Sequence, residues 1–456
     1  MTKSRSTTAD AAGDVPVRHP VRWLALLCVL HFLLALGFNI VTPAAVPNQH
    51  NPDENAHMLY VKDLASGHVP VFKPGANAYE SHQPPLYYAL AVPVYAASQH
   101  SGMATATRVV RVLSSILGVL LVIMAYLAVI RLMPSEPRVA LGAAGFIALL
   151  PMNAAISGAV GNDVLINLLL VAGLWKLIRL CCSGEASPER VIRWEGAALL
   201  GVIFGFAVLT KTTGLLLAPA IVVAFAFLAW RKAAEPKSAV RAIVVALGIG
   251  LLMASPWLAR NQMLYGDPLA QRIFTTSFDK TAKADDLIRG FGGFGPYLMA
   301  DAQWTFASFW GVFDSMSFFW GQDPRGRTPS PLAPLSMPYG ILFGLGVAGL
   351  VGLFPALRRE DTRPDARQQA VLWGLLTLVL ATFYTFFLFN MTFFQAQGRY
   401  WYPALLPFAL AFALGFRGFY PQRAWLNGVY IALALGMLAL NVYTLFVLLP
   451  ARYALG

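Results

Sequence analysis

Residues 197–230 read AALLGVIFGFAVLTKTTGLLLAPAIVVAFAFLAW, 34 residues whose single charge is Lys211. As one helix the stretch would rise about 51 Å, against a hydrocarbon layer of about 30 Å. Thr210, Lys211, Thr212, Thr213 and Gly214 interrupt it near its centre. Two short membrane-crossing helices meeting at Lys211 fit the stretch better than one.

Working outward, nine more apolar runs occupy residues 23–41, 109–130, 139–155, 164–180, 243–257, 341–357, 371–389, 405–416 and 429–449. With 57% apolar and 12% charged residues in a 456-residue chain, and a mean hydropathy of +0.59, a soluble surface cannot be built. A soluble enzyme on one anchor is excluded because no domain-sized charged stretch exists. A β-barrel is excluded because the runs are continuous and do not alternate with period two. The sequence predicts an all-α polytopic membrane protein, a single domain over residues 1–456 with about 11 transmembrane helices. The run at 23–41 lacks a small-residue cleavage site and is read as a retained first span.

The net charge of +12 sets topology here and implies no nucleic-acid partner. Counting residues 197–230 as two helices gathers the basic residues at one set of ends. They are Arg131 and Arg138; Lys176, Arg179, Arg190 and Arg193; Arg231, Lys232, Lys237 and Arg241; Arg358, Arg359, Arg363 and Arg367; and Arg417 and Arg423. With Lys3, Arg5, Arg18 and Arg22 before the first span, these ends are predicted to be cytoplasmic, and the carboxyl terminus to lie outside. The long connections, 42–107 and 260–338, then face the extracytoplasmic side. Their short amphipathic helices are expected to lie at the interface, with Trp304, Phe306, Phe309, Trp310, Phe318, Phe319 and Trp320 resting among headgroups. Cys28, Cys181 and Cys182 lie in or beside apolar runs and form no disulfide or metal framework.

The first long loop opens on Asn51, Pro52, Asp53, Glu54, Asn55, Ala56 and His57. Asn51 as cap, Pro52 at the first helical position and Glu54 three residues after the cap describe a capping box, with helix to about Ala65. Asp53 and His57, four apart, share a face while Glu54 points away; a carboxylate and an imidazole together suit ligand binding or chemistry, or a helix start. Further on, Tyr79, Glu80, Ser81, His82 and Gln83 precede Pro84 and Pro85, which hold the polar residues extended. This turn either aims Glu80 at the cavity of Asp53 or is an interfacial turn anchored by Tyr87 and Tyr88. Asn162 and Asp163 stand almost at membrane depth, where an acid needs water or a partner, or caps the following helix. Lys211 at the outward hairpin tip reaches either an anionic phosphate or lipid headgroups. Arg399, the sole charge between residues 390 and 403 and flanked by Tyr400, Trp401 and Tyr402, suits bidentate phosphate binding.

In their order, Asp53-Glu54, the 80–88 turn, Asn162-Asp163, Thr210 to Gly214, Tyr265-Gly266-Asp267-Pro268-Leu269 and Gln397-Gly398-Arg399-Tyr400 resemble the GT-C superfamily of membrane glycosyltransferases. That superfamily includes protein O-mannosyltransferases, lipid A aminoarabinose transferases and bacterial relatives of unassigned specificity. The resemblance spans nearly the whole chain and implies a GT-C-like bundle in a bacterial cytoplasmic (inner) membrane with an extracytoplasmic active site. It implies transfer of a sugar from a polyprenyl-phosphate donor to an acceptor hydroxyl of a lipid, glycan or protein, with inversion. Asp53 matches the family's catalytic base and Glu80 its second loop acid. Lys211, Arg399, Tyr400, His57, His82, Gln83, Asp163 and Arg260 are the expected contacts to donor phosphate or sugar. The aminoarabinose branch would place Lys and two prolines after the glutamate, whereas this chain has Ser81-His82-Gln83 before Pro84-Pro85, and the missing lysine weakens the carry-over of that branch's phosphate contacts and substrate. No metal is expected: His57 and His82 permit one, but the acid-rich pattern of the oligosaccharide-transferring relatives is missing. The competing class is a transporter or lipid flippase, which predicts functional polar residues near the midplane and paired repeats.

Overall fold

A computed structural model of the protein describes residues 19–44, 50–182, 191–278, 281–360, 362–420 and 422–454. Lys3, Arg5, Arg18 and Arg190 lie outside the described residues. In chain order the helices are α1 (Pro20–Val41), α2 (Glu54–Ala65), α3 (Leu86–Ser98), α4 (Met103–Leu132), α5 (Pro137–Leu149), α6 (Pro151–Ser157), α7 (Asp163–Cys182), α8 (Trp194–Thr210), α9 (Leu217–Trp230) and α10 (Pro236–Tyr265). Then follow α11 (Gln271–Thr275), α12 (Ala284–Gly290), α13 (Phe294–Trp310), strands β1 (Val312–Phe313) and β2 (Phe318–Phe319), α14 (Met337–Arg358), α15 (Ala366–Asn390), α16 (Leu405–Phe419), α17 (Arg423–Tyr443) and α18 (Leu449–Tyr453).

Among the described residues nine helices are long and apolar enough to cross a membrane, ten if the bent α5–α6 pair counts as one span. The eleventh predicted segment is α8, apolar but only 17 residues long. The break inside residues 197–230 falls at Lys211, whose extended backbone (φ −159, ψ 146) ends α8 before a 3₁₀ turn at Thr212–Leu216 leads into α9.

The run at 139–155, expected as one span, bends by 62° between α5 and α6. Pro151 has no N–H to donate, so helical carbonyls near the break lose their usual partners. Side chains replace them: Asn153 Nδ2 donates to Ile147 O at 2.9 Å, Asn441 Nδ2 to Leu149 O at 2.8 Å, and His31 Nδ1 stands 2.8 Å from Ala148 O. In hydrocarbon an unsatisfied carbonyl costs several kcal/mol, so these side chains make the bend possible.

Helices α14 and α16 approach through glycine. A Cβ on Gly415 would stand 1.8 Å from Gly349 O and one on Gly418 2.0 Å from Gly352 O. Only hydrogen fits there, and the helix backbones touch.

The long connections fold together at one end of the bundle. Arg260 Nη2 donates to Pro70 O at 2.7 Å, Phe72 N to Tyr265 Oη at 2.9 Å, and Ser315 N to His50 O at 2.8 Å. The aromatics of 304–320 were expected at the headgroups; most turn inward instead. Phe309, Trp310, Phe318, Phe319 and Trp320 are buried, and Trp320 Nε1 donates to Thr444 Oγ1 at 2.8 Å. Phe309 and Trp310 pack from α13 against Phe146, and the β1–β2 hairpin, antiparallel with Val312 opposite Phe319, folds Phe319 and Trp320 back against Tyr339.

Candidate active site

The start of α2 carries Asp53, and it does not form the expected capping box. Helix α2 begins at Glu54, with Asp53 before it in the left-handed region at φ 60. The Asn51 side chain does not cap the helix; its Nδ2 donates to Glu54 Oε2 at 3.1 Å. Glu54 is drawn inward by Arg111, a buried arginine of α4, whose Nη2 and Nε reach the two carboxylate oxygens at 2.6 and 2.8 Å. That ion pair turns Glu54 away and leaves Asp53 facing the 3₁₀ turn Tyr79–His82 and the segment carrying Arg399.

Two acids and two cations meet there from four parts of the chain. Arg399 Nη2 donates to Asp53 Oδ2 at 2.5 Å and Nη1 to Asp163 Oδ2 at 3.3 Å. Lys211 Nζ donates to Asp163 Oδ1 at 2.5 Å, and Tyr79 Oη to Asp53 Oδ1 at 2.9 Å. Asp163 is the first residue of α7, and Lys211 the break between α8 and α9. Arg399 sits in the 3₁₀ segment Gly398–Ala404, its Nε held by Gln397 Oε1 at 2.7 Å and its guanidinium 5.3 Å from the Tyr400 ring centre. The Arg399 side chain is 7% exposed, whereas the Asp53 side chain is 27% exposed and open to a ligand.

The two loop acids are split in protonation. Burial pushes the Asp53 carboxyl up, but the Arg399 guanidinium and the hydrogen bonds from Arg399 and Tyr79 outweigh it and hold the group below the usual carboxylate range. Glu80, buried and facing the charge of Asp53, is pushed up to about 8 and is protonated at neutral pH. Divergent acids in one site are the pattern of a base beside a neutral hydrogen-bond donor. His57 is pushed down to about 4 by burial, against the pull of Asp53, and stands 2.8 Å from Tyr88 Oη. His82 is pushed down to about 3 by burial; its Nδ1 lies 2.9 Å from Tyr79 O and its ring stacks on Phe274. Both imidazoles are neutral at pH 7, so the positive charge of the site comes from Arg399 and Lys211.

Two expected contacts stand apart. Arg260 lies over the Trp257 ring at 4.7 Å and binds Pro70 O, tying α10 to the first loop. Gln83 accepts a bond from Tyr60 Oη on its backbone oxygen at 3.1 Å, while its Oε1 is buried with no partner among the described residues. Sequence reasoning missed Arg111, whose signal was a charge inside an otherwise apolar run, and Tyr79 and Tyr88 as partners of Asp53 and His57.

The accepting oxygens of Asp53 and Asp163 are already engaged by Arg399, Lys211 and Tyr79, and among the described residues no three His, Cys, Asp or Glu side chains are grouped as metal ligands.

The fold is that of the GT-C membrane glycosyltransferases. Residues 84–259 match the family model described as dolichyl-phosphate-mannose-protein mannosyltransferase. The oligosaccharyltransferase of Archaeoglobus fulgidus, in its apo form, superposes on 94% of this chain with a TM-score of 0.55 at 17% identity, and the chain covers 56% of that protein. The same archaeal enzyme in complex with an inhibitory peptide and a dolichol-phosphate gives 0.54 over 94% of this chain and 56% of that one, again at 17% identity. The chain thus spans little more than half the length of this relative. No curated protein matches it in sequence.

Proposed function

We propose that this chain transfers a sugar from a polyprenyl-phosphate donor to an acceptor hydroxyl on the extracytoplasmic side of the membrane, with inversion at the anomeric carbon. The observation that carries the reading is the Asp53 carboxylate held within 2.5 Å of Arg399, beside the Lys211–Asp163 pair. A base and two cations converge where a hydroxyl must lose a proton and a phosphate must leave. The GT-C-like fold and the mannosyltransferase family match over residues 84–259 support it.

In the resting site two anionic carboxylates balance two cations. A donor phosphodiester takes over Arg399 and Lys211, and Asp53 gives up its tightest partner. Losing that guanidinium raises the basicity of Asp53. The acceptor oxygen then attacks the anomeric carbon, its proton passes to Asp53, and the bond from the anomeric carbon to the phosphate oxygen breaks. The polyprenyl phosphate gains one negative charge on leaving, which Arg399 and Lys211 stabilise. Protonated Glu80 donates a hydrogen bond to sugar or acceptor. No covalent enzyme intermediate is needed. A transporter gains no support, because the charged groups of this cluster lie at the ends of their helices and not at the middle.

The test is release of polyprenyl phosphate by purified protein in nanodiscs supplied with a panel of polyprenyl-phosphate-linked sugars. Wild type is expected to turn over at least one donor, and Asp53→Asn to lose turnover while still binding a polyprenyl monophosphate. Asp53→Asn turnover within threefold of wild type removes the assignment. Chelator is expected to leave the rate within twofold; loss restored by one specific divalent metal reverses the expectation of metal independence.

A further inference from the structure

The pair Glu54–Arg111 lies beside the acid cluster and touches none of its charges. It is buried on both sides, at 6% and 0% side-chain exposure. Every N–H of Arg111 finds an oxygen: Nε donates to Glu54 Oε1, Nη1 to Asn39 O and Thr42 O at 2.9 and 2.8 Å, and Nη2 to Pro43 O at 3.0 Å and to Glu54 Oε2. Glu54 accepts twice more, from Val160 N at 2.8 Å and from Asn51 Nδ2 at 3.1 Å. One ion pair therefore joins the end of α1, the turn 51–54, α4 and the link between α6 and α7.

One of those four segments carries Asp53, and another leads directly into Asp163. Asp53 precedes Glu54 in the chain and holds a left-handed backbone, a conformation that persists in a non-glycine residue only when its surroundings enforce it. Asp163 follows Val160 by three residues, with Gly161 N bonded to Tyr87 Oη at 3.1 Å between them. Both acids bind the same guanidinium, Arg399. Their separation must match its fork, and the rigid body between them is the Glu54 carboxylate with Arg111 behind it. Buried ion pairs are weak sources of stability and are best attested where geometry or register has to be specified.

We propose that Glu54 and Arg111 are positioning residues: the pair sets the spacing of Asp53 and Asp163 so that both engage Arg399, and so fixes the aim and the basicity of Asp53. This rests on the reading of Asp53 as the base. Asp53 is faced by Arg399 and Tyr400 from the 398–404 segment, by His57 on the following helix α2, and by Tyr79, Glu80 and His82 from the 79–82 turn. Of these, Arg399 is the strongest influence lowering its proton affinity. A loosened pair lets Asp53 drift from Arg399, and its proton affinity rises.

The test uses full-length protein in nanodiscs and a polyprenyl-phosphate sugar that wild type turns over. Arg111→Lys keeps the charge but loses the carbonyl contacts; Glu54→Asp keeps the charge but is one methylene too short to hold Val160 N and Arg111 together. Each is expected to lower kcat at least tenfold, to leave donor KM within about threefold, and to move the acid limb of kcat/KM to higher pH, with size-exclusion profile retained. The shift separates positioning from stability, because fewer folded molecules lower the rate equally at every pH. If Arg111→Lys does not fold, Glu54→Asp decides. A wild-type kcat in either folded variant, or a loss without a moved limb, overturns the proposal. Asp53→Asn at wild-type turnover overturns it too, and locates the fault in the reading of the base.

Discussion

The Arg399 guanidinium divides its donors among Gln397, Asp163 and Asp53. A lysine keeps the charge but not the planar fork, so Arg399→Lys is expected to lose at least one charge-assisted contact as the phosphate leaves. That loss is worth about 2 kcal/mol, roughly thirtyfold in rate. Turnover of the folded Lys variant near wild type would remove the clamp and shift phosphate binding to Lys211. Glu80 gives an opposite expectation. With its acid raised to about 8, the carboxyl is neutral below that pH and charged above it, where a third negative charge beside Asp53 and Asp163 repels the donor phosphate. Wild-type activity is expected to fall as pH rises through about 8, and Glu80→Gln, an amide close in shape to the neutral acid, to work at pH 7 and to lack that fall. A Gln variant as inactive at pH 7 as Asp53→Asn contradicts this. The charged residues of the cluster were legible because isolated charges in the connections and at span ends stand out. Arg111 and the neutral state of Glu80 were not, because both depend on partners distant in sequence.

At the scale of elements, the segment Gly398–Ala404 is seated against α13 with no room to spare. A Cβ on Gly398 would stand 2.1 Å from Phe309 N and 2.5 Å from Thr305 O, both backbone atoms, while Gly398 N donates to Ser308 Oγ at 2.7 Å. Gly398→Ala is expected to push this segment off α13, at a cost of about 1–3 kcal/mol, and to move Arg399 with it. Gly295, in the first turn of α13 with nothing within 4 Å of its would-be Cβ, is the control: Gly295→Ala should be neutral or stabilising. Thermal unfolding and turnover of the two variants in one detergent check this, and equal behaviour rejects it. Gln397-Gly398-Arg399-Tyr400 was readable as a motif, but its glycine was not readable as a contact. The same holds for α5 and α6. Pro151 marks a break, yet its size depends on His31 and Asn441, more than a hundred residues away, capping the freed carbonyls.

Across the whole molecule the charges are sorted by end. Asp163 opens α7 at the acid cluster, whereas Lys176 and Arg179 lie toward its other end, where they share a cavity with Arg193 and Arg367. Arg231, Lys232 and Lys237 stand in or beside the short α9–α10 turn at that same end. Basic residues at the cluster end are of a different kind: several sit in long connections, and Arg111, Lys211 and Arg399 are committed to acids. Only charges in short loops near span ends bias insertion, so the basic turns are expected in the cytoplasm and the cluster outside. Orientation is therefore open to a direct measurement. With Cys28, Cys181 and Cys182 replaced by serine or alanine, a single cysteine is placed at Ser66, exposed after α2, or at Lys237, exposed at the start of α10. A membrane-impermeant maleimide added to intact cells is expected to label Ser66→Cys and to reach Lys237→Cys only after permeabilisation. The reverse pattern puts the acid cluster in the cytoplasm, where soluble nucleotide sugars are available, and a lipid-phosphate donor loses its rationale. Labelling at Ser66 alone leaves a lipid as the carrier that brings an activated sugar to this face.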